Sequence, residues 1–490
     1  MTRLADGFPA RERGVVVLLM LVLGALVGVL FFTGVLGGGP TTSERDLITR
    51  TALARAKSAL IDYAVTYMDT HPNMPPGFLP CPEIDGSLRE GSPALGGCND
   101  VGENAIGRLP WYTLGTEPLR DGYNECLWYA VSGNYKNNPA PFLLNWNSNG
   151  TLRAFLSVPE GGTPPPLDNN VLQRAVAVII APGPAYGTQT RNMATVNPAP
   201  DLCRGNRIAA NYLETSNGYN NATMATIGEA SFVSGVPTAT FNDRLITITA
   251  SEIWTAVARR PDFQDRLRLL TQRVAECIAY YPQTGATGNV NDLRLPWASN
   301  PGYFDREPIY YSDDLSRALA GRAPYSVSVS NADIGRTTWG TSTTLLGENG
   351  VASGKCPTGA AGWNTMINNW WNHWRDHVFY AVSRNFAPNG QASNTGCSPS
   401  TNCITVDGVG PYAGVVMFAG EILPAVTPNQ TRFSDSLKFN FASYLEARNK
   451  SANAAGNNDY QTTSDVGQPF NDILYCIGQS GSVLAAVPCP

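Results

Sequence analysis

The chain has 490 residues, enough at roughly 150 residues per domain for two or three domains with sizeable cores, which excludes a small disulfide-knot peptide. Apolar residues make up 43% and charged residues 15%; a charged share under the roughly 25% of ordinary soluble domains argues against wholesale disorder, and 48 Gly with 36 Pro predict much turn and loop, a composition that suits an extracytoplasmic protein. The net charge of −5, with no dense Lys/Arg stripe, leaves nucleic acid out of the expected partners.

From Gly14 to Leu36 the chain carries no charged residue. As a helix that run spans roughly 34 Å, enough to cross a bilayer. Arg3, Arg11 and Arg13 precede it, so the positive-inside rule predicts a cytoplasmic arm and a body on the far side. A plain anchor, an uncleaved signal and a cleaved secretory signal all share these features, although Leu36-Gly37-Gly38-Gly39 is a poor Ala-x-Ala site.

Gly37-Gly38-Gly39-Pro40 should end that helix, because Gly is costly in a helix and Pro lacks a backbone donor. A second helix is predicted from a Thr42 or Ser43 cap, with Leu53, Ala56, Leu60, Ala64 and Tyr67 along one face, ending before His71-Pro72. A third, opening near Asp262 and closed by Pro282, aligns Phe263, Leu267, Leu270, Val274, Ile278 and Tyr281. Both stripes are expected to bury against a sheet.

Four short identities follow these helices in the same order. Arg108-Leu109-Pro110-Trp111 pairs with Arg294-Leu295-Pro296-Trp297, Tyr129-Ala130-Val131-Ser132 with Tyr380-Ala381-Val382-Ser383, Tyr212-Leu213-Glu214 with Tyr444-Leu445-Glu446, and Phe241-Asn242-Asp243 with Phe470-Asn471-Asp472. They predict a tandem duplication: a first α+β module over 37–250, and a second over 251–490 with an insertion at about 298–374. Two repeats are too few for a solenoid, and each is large enough to be a domain. Strands are predicted at Leu127 to Val131, Ala175 to Ile180 and Leu245 to Thr249, then at Val378 to Val382, Gly414 to Phe418 and Ile473 to Ile477.

The leader Arg11-Glu12-Arg13-Gly14 followed by Val15-Val16-Val17-Leu18-Leu19-Met20, and the stretch from Leu109 through Ser132, resemble type IV pilin-like proteins and pseudopilins. The resemblance implies a cytoplasmic leader over 1–14, cleavage by a prepilin peptidase between Gly14 and Val15 with methylation of Val15, a transmembrane helix over 15–36, and modules built as a helix packed on an antiparallel sheet. Major pilins carry a Glu five residues into the mature chain, where this sequence has Leu19. Tip-type minor pseudopilins share that loss.

The ten cysteines all follow the apolar run, as expected of disulfides in an oxidising compartment. The short-loop pairings are Cys81 with Cys98, Cys397 with Cys403 and Cys476 with Cys489. His373 and His377 sit four apart, a spacing that on a helix could face one metal ion, but the Glu of a zinc-protease motif is absent and aromatic packing is the stronger reading; no metal or other cofactor is expected. No Gly-x-Ser-x-Gly elbow or phosphate loop is present. An acid pair leaves no fixed spacing to find. Trp363, Trp370, Trp371 and Trp374 lie in or beside the insertion as candidate partner-binding aromatics, with core packing the stronger reading.

The function expected is therefore non-enzymatic: a minor pilin or pseudopilin of a type IV pilus or type II secretion-like filament, at the tip or in initiation. It would be anchored in the bacterial inner membrane by one span, with its body in the periplasm or on the filament. The expected partners are other pilin-like subunits, the peptidase and the inner membrane, with a surface glycan or secreted protein as a further candidate. The alternative is an anchored adhesin that binds glycan or protein. A third reading is an anchored hydrolase with a spatially assembled acid pair.

Overall fold

The structure, a computed structural model, describes residues 41–490 apart from 85–88, 160–161, 169, 171–172, 192–201, 204, 285–292, 314–317, 328–342, 348–355, 358–361, 390–402, 424–429, 433, 452–457 and 465–467. Helix α1 (Thr42–Thr70) is started by a capping box: Thr41 Oγ1 accepts from Glu44 N, and Glu44 Oε2 accepts from Thr41 N at 2.6 Å. It buries Leu53, Ala56, Leu60, Ala64 and Tyr67, the face read from the spacing.

The first sheet comprises β1 (Ala105–Arg108), β2 (Trp128–Val131), β3 (Leu152–Leu156), β4 (Ala175–Ala181), β5 (Ala230–Ser234) and β6 (Arg244–Thr249). Its order is β1-β2-β4-β3-β5, with β6 also on β4, and β3 pairs with β5 in parallel, so this sheet is mixed where an antiparallel one was expected. Helix α2 (Ala250–Ala258) follows β6 at once, capped by Thr249 and Glu252, and leads into α3 (Pro261–Tyr280), which has Pro at its first position. The second sheet, β7 (Ala320–Arg322), β8 (Val378–Val382), β9 (Gly414–Phe418), β10 (Ile473–Ser480) and β11 (Val483–Pro488), is antiparallel in the order β11-β10-β9-β8-β7. Helix α4 (Thr365–Trp374) precedes β8.

One continuous apolar core runs through both halves. It joins the inner faces of α1, α2, α3 and α4 to one face of each sheet. The other face of each sheet is covered by loops: Tyr212-Leu213 over Trp128, Val178 and Ile180 in the first, Tyr444-Leu445 over Phe379, Val415 and Met417 in the second. Burial on both faces explains why β4 (AVAVIIA) and β8 (VFYAV) read as unbroken apolar runs rather than alternating ones. Ion pairs Lys57–Glu252 at 2.5 Å and Arg260–Asp69 at 2.6 Å tie α1 to the α2–α3 elbow.

Two expectations are corrected here. The fold and the location were expected to rest on a transmembrane helix; among the described residues no helix is long and apolar enough to cross a membrane, the leader 1–14 and the segment 15–36 lie outside the described residues, and the described fold is a mixed α+β body that begins at α1. The first of the four identities is also out of phase. Tyr129 Oη donates to Pro80 O and Tyr380 Oη donates to Pro296 O, each at 3.1 Å, so Leu295-Pro296 corresponds to Leu79-Pro80. Glu83 bridges to Arg108 as Ser299 bridges to Arg322, so Arg108-Leu109-Pro110-Trp111 corresponds to Arg322-Ala323-Pro324-Tyr325. The extra chain of the second half therefore enters after Tyr325.

Candidate functional site

Each half holds the same buried polar cluster at the loop-covered edge of its sheet. Arg191 donates to the carbonyls of Asn211 (2.9 Å), Gly183 (2.7 Å) and Tyr212 (3.3 Å); Arg432 donates to those of Ser443 (2.7 Å), Gly420 (3.1 Å) and Tyr444 (3.3 Å). Each guanidinium lies over the tyrosine ring of its module, 4.8 Å from Tyr212 and 4.3 Å from Tyr444. Gln189 donates to Glu214 at 2.8 Å, and Gln430 to Glu446 at 2.6 Å. The identity that carries this, Gln189-Thr190-Arg191 with Gln430-Thr431-Arg432, is visible in the sequence and was missed beside the longer matches.

The carboxylates complete the cluster. Asp243 Oδ2 accepts from Glu214 N and from Asn221 Nδ2, both at 2.8 Å; Asp472 Oδ2 accepts from Glu446 N and Asn449 Nδ2, both at 3.0 Å. Glu214 Oε2 accepts from Asn242 N at 3.0 Å, and Glu446 Oε2 from Asn471 N at 3.1 Å. Burial, and next the facing glutamate, push the carboxyls of Asp243 and Asp472 well above the ordinary carboxylate range. Such a pair has the ingredients of acid–base chemistry. Yet Asp243 is fully buried and Glu214 nearly so, and every bond named above goes to a loop of the same module. The arrangement pins three loops to the sheet.

The residues singled out from the sequence fall as follows. Trp363, Trp370, Trp371 and Trp374 are buried, and their reading as a partner-binding surface is corrected: α4 turns them into the shared core, where Trp374 packs edge-on to Trp254 and Trp146. His373 and His377 are buried too. His373 Nδ1 accepts from Leu144 N at 3.0 Å, and burial beside Arg375 pushes its pKa down to about 3. His377 Nδ1 faces the Ala419 carbonyl at 3.0 Å and so carries the proton, which leaves Nε2 to accept from Asn147 at 3.1 Å. Both neutral rings clamp the β2–β3 loop of the first module onto the second. Among the described residues no group of three or more His, Cys, Asp or Glu is placed to hold a metal ion.

No family model, curated protein or solved structure matches this chain. Cys81 is bonded to Cys98 and Cys476 to Cys489; Cys403 is also disulfide-bonded, while its expected partner Cys397, like Gly14 and Val15, lies outside the described residues. Cys126–Cys203 and Cys277–Cys356 close long loops that no spacing rule pairs.

Of the open concavities formed by the described residues, one adjoins the junction of the halves and another the start of α1. A polar cleft of about 380 Å³ lies between the halves, lined by Asn134, Phe142, Asn147, Glu307, Arg375 and Lys438. Phe142 there is 72% exposed. A less polar groove of about 330 Å³ sits beside the first turns of α1.

Proposed function

We propose that this protein is a non-catalytic, pilin-like structural subunit of an envelope filament of the type IV pilus or type II secretion-like class, placed at the tip or in initiation and acting in an oxidising compartment. The observation that carries this reading is the duplicated helix-on-sheet module, in each copy of which a buried Arg, Glu and Asp bond to the loops that cover the sheet. Disulfides in both halves suit an oxidising compartment. The two modules share one core and form a bulky body, and bulk favours an end position because each shaft subunit must fit between neighbours. Deleting the gene in its native host and restoring it on a plasmid tests the reading: filament number should fall on deletion and recover on complementation. Unchanged filament number and surface adhesion would overturn it.

A second reading is favoured by one feature, the cleft that bears Phe142. An exposed aromatic face among amides and charged groups is the chemistry of saccharide recognition. If the protein is a glycan-binding module, Phe142→Ala should abolish binding on a glycan array while leaving the melting temperature unchanged. Absence of saturable glycan binding by the unaltered chain excludes it.

A further inference from the structure

The second sheet ends at β11, which pairs with β10 on one side and with no strand on the other among the described residues. An edge of this kind offers a row of unpaired N–H and C=O groups to any strand that meets it, and proteins ordinarily blunt it with charge. Here the segment Val483 to Pro490, VLAAVPCP, has no charged residue, and Val483 is 44% exposed. The turn Gly481-Ser482 and the Cys476–Cys489 disulfide fix β11 to β10 at its two ends, so the groups along the free edge have defined places.

A two-residue turn makes Ser480 and Val483 a hydrogen-bonded pair. Antiparallel alternation then turns the backbone groups of Val483, Ala485 and Val487 toward β10 and those of Leu484, Ala486 and Pro488 away from it. Two contacts agree with this assignment. Gln283 Nε2, which belongs to no strand of the sheet, donates to Leu484 O at 2.9 Å; Ile477, opposite Ala486, gives its carbonyl to Ala413 N on its far side at 2.8 Å. The free edge therefore presents the Leu484 N–H, the N–H and C=O of Ala486 and the Pro488 C=O, none of them hydrogen-bonded among the described residues. Pro488 has no N–H to offer.

That order of groups is its own complement. We propose that β11 is an interface for a second copy of this chain, joining two second sheets into one antiparallel sheet across a two-fold axis at Ala486. Ala486 of each copy donates to and accepts from Ala486 of the other, and the Leu484 N–H of each donates to the Pro488 carbonyl of the other. The donor that Pro488 lacks falls opposite Leu484 O, which already takes Gln283. An unrelated strand would bring an N–H to that engaged carbonyl, whereas this chain brings a proline. Sliding the pairing one step sets Ala486 N–H against Leu484 O, and sliding it the other way sets Ala486 O against Pro488, so one register meets each group. The side chains brought together, Ala486 with itself, Ala485 with Val487 and Leu484 with Pro488, are uncharged. The inference goes beyond the filament reading and does not depend on it, because the contact needs only this chain.

The test uses the full chain and two readouts. Light scattering over a concentration series should show a monomer–dimer equilibrium. Amide hydrogen exchange at single-residue resolution should show Leu484 and Ala486 slowing at least tenfold as the dimer forms, while Val483, Ala485 and Val487, bonded within the chain, do not change. Ala486→Pro removes the central donor without breaking a hydrogen bond of the monomer, and Ala486→Lys sets like charges directly opposite one another. Each should weaken the dimer at least tenfold, Ala486→Pro with the melting temperature of the dilute monomer unchanged. A chain that stays monomeric throughout the series would overturn the proposal, as would a dimer that both variants leave equally strong. So would full protection of Leu484 and Ala486 in the monomer, since the edge would then be covered by the chain itself.

Discussion

Asp243 and Asp472 make the buried clusters pH-sensitive in a defined direction. Burial and the facing glutamate raise their proton affinity in the folded state above that of the unfolded chain, so this contribution to stability is whole below the ordinary carboxylate range and is lost as pH rises through the raised value. Asparagine keeps an acceptor for Glu214 N and Asn221 and removes the titration. The melting-temperature advantage of the native chain over the Asp243→Asn/Asp472→Asn double variant should therefore shrink from pH 5 to pH 8 in calorimetry; a constant difference would contradict the account. His373 and His377 act in the opposite sense. Their pKa values are depressed by burial, so what they contribute is present above about pH 6.5, the ordinary imidazole value, and is lost as pH falls. Trp146 is only half-buried, and Trp146→Ala should cost toward the low end of about 3–5 kcal/mol in urea unfolding. At this scale the sequence was readable where identity and bonding coincide, as in Tyr-Leu-Glu and Phe-Asn-Asp. It misled at Arg-Leu-Pro-Trp, because Leu79-Pro80 and Leu109-Pro110 offer the same dipeptide twice and only the Tyr129 and Tyr380 hydroxyl bonds tell them apart.

Helices and strands were the most legible elements, since α1 and α3 advertise one apolar face each and the central strands β4 and β8 are continuous apolar runs. The parallel β3–β5 pairing was not, because no local signal says which distant strand a strand will meet. The same limit hid the long disulfides. Cys277 of α3 holds Cys356 of the extra chain, and Cys126 before β2 holds Cys203, each across a loop that the spacing of cysteines alone cannot assign. Replacing Cys126 and Cys203 together with alanine should lower stability by about 2–5 kcal/mol, read as a shift of the urea midpoint in the oxidised protein. An unshifted midpoint would mean that the loop is held by Glu90, which accepts from the backbone of Leu202 and Cys203, without help from the bond.

For the whole molecule, duplication was legible and fusion was not. Repeated motifs suggest two independent domains, yet a single core passes from α1 through α2 to α3 and α4, and Asn145, His373, Asn147 and His377 bond across the junction. The body should therefore unfold in one calorimetric transition, and two separated transitions would contradict a shared core. The four tryptophans beside the insertion left a partner surface open as a candidate because their neighbours are polar; they are inside, as the stronger core-packing reading had it, because α4 lies against that junction. The proposed end position in a filament rests on bulk, since two modules share one core and each shaft subunit would have to fit between neighbours. The most direct test of that claim is quantitative mass spectrometry of filaments sheared from the native host. The account predicts peptides of this chain at a few copies per filament, far below the major subunit; filaments in which the chain is absent would contradict it.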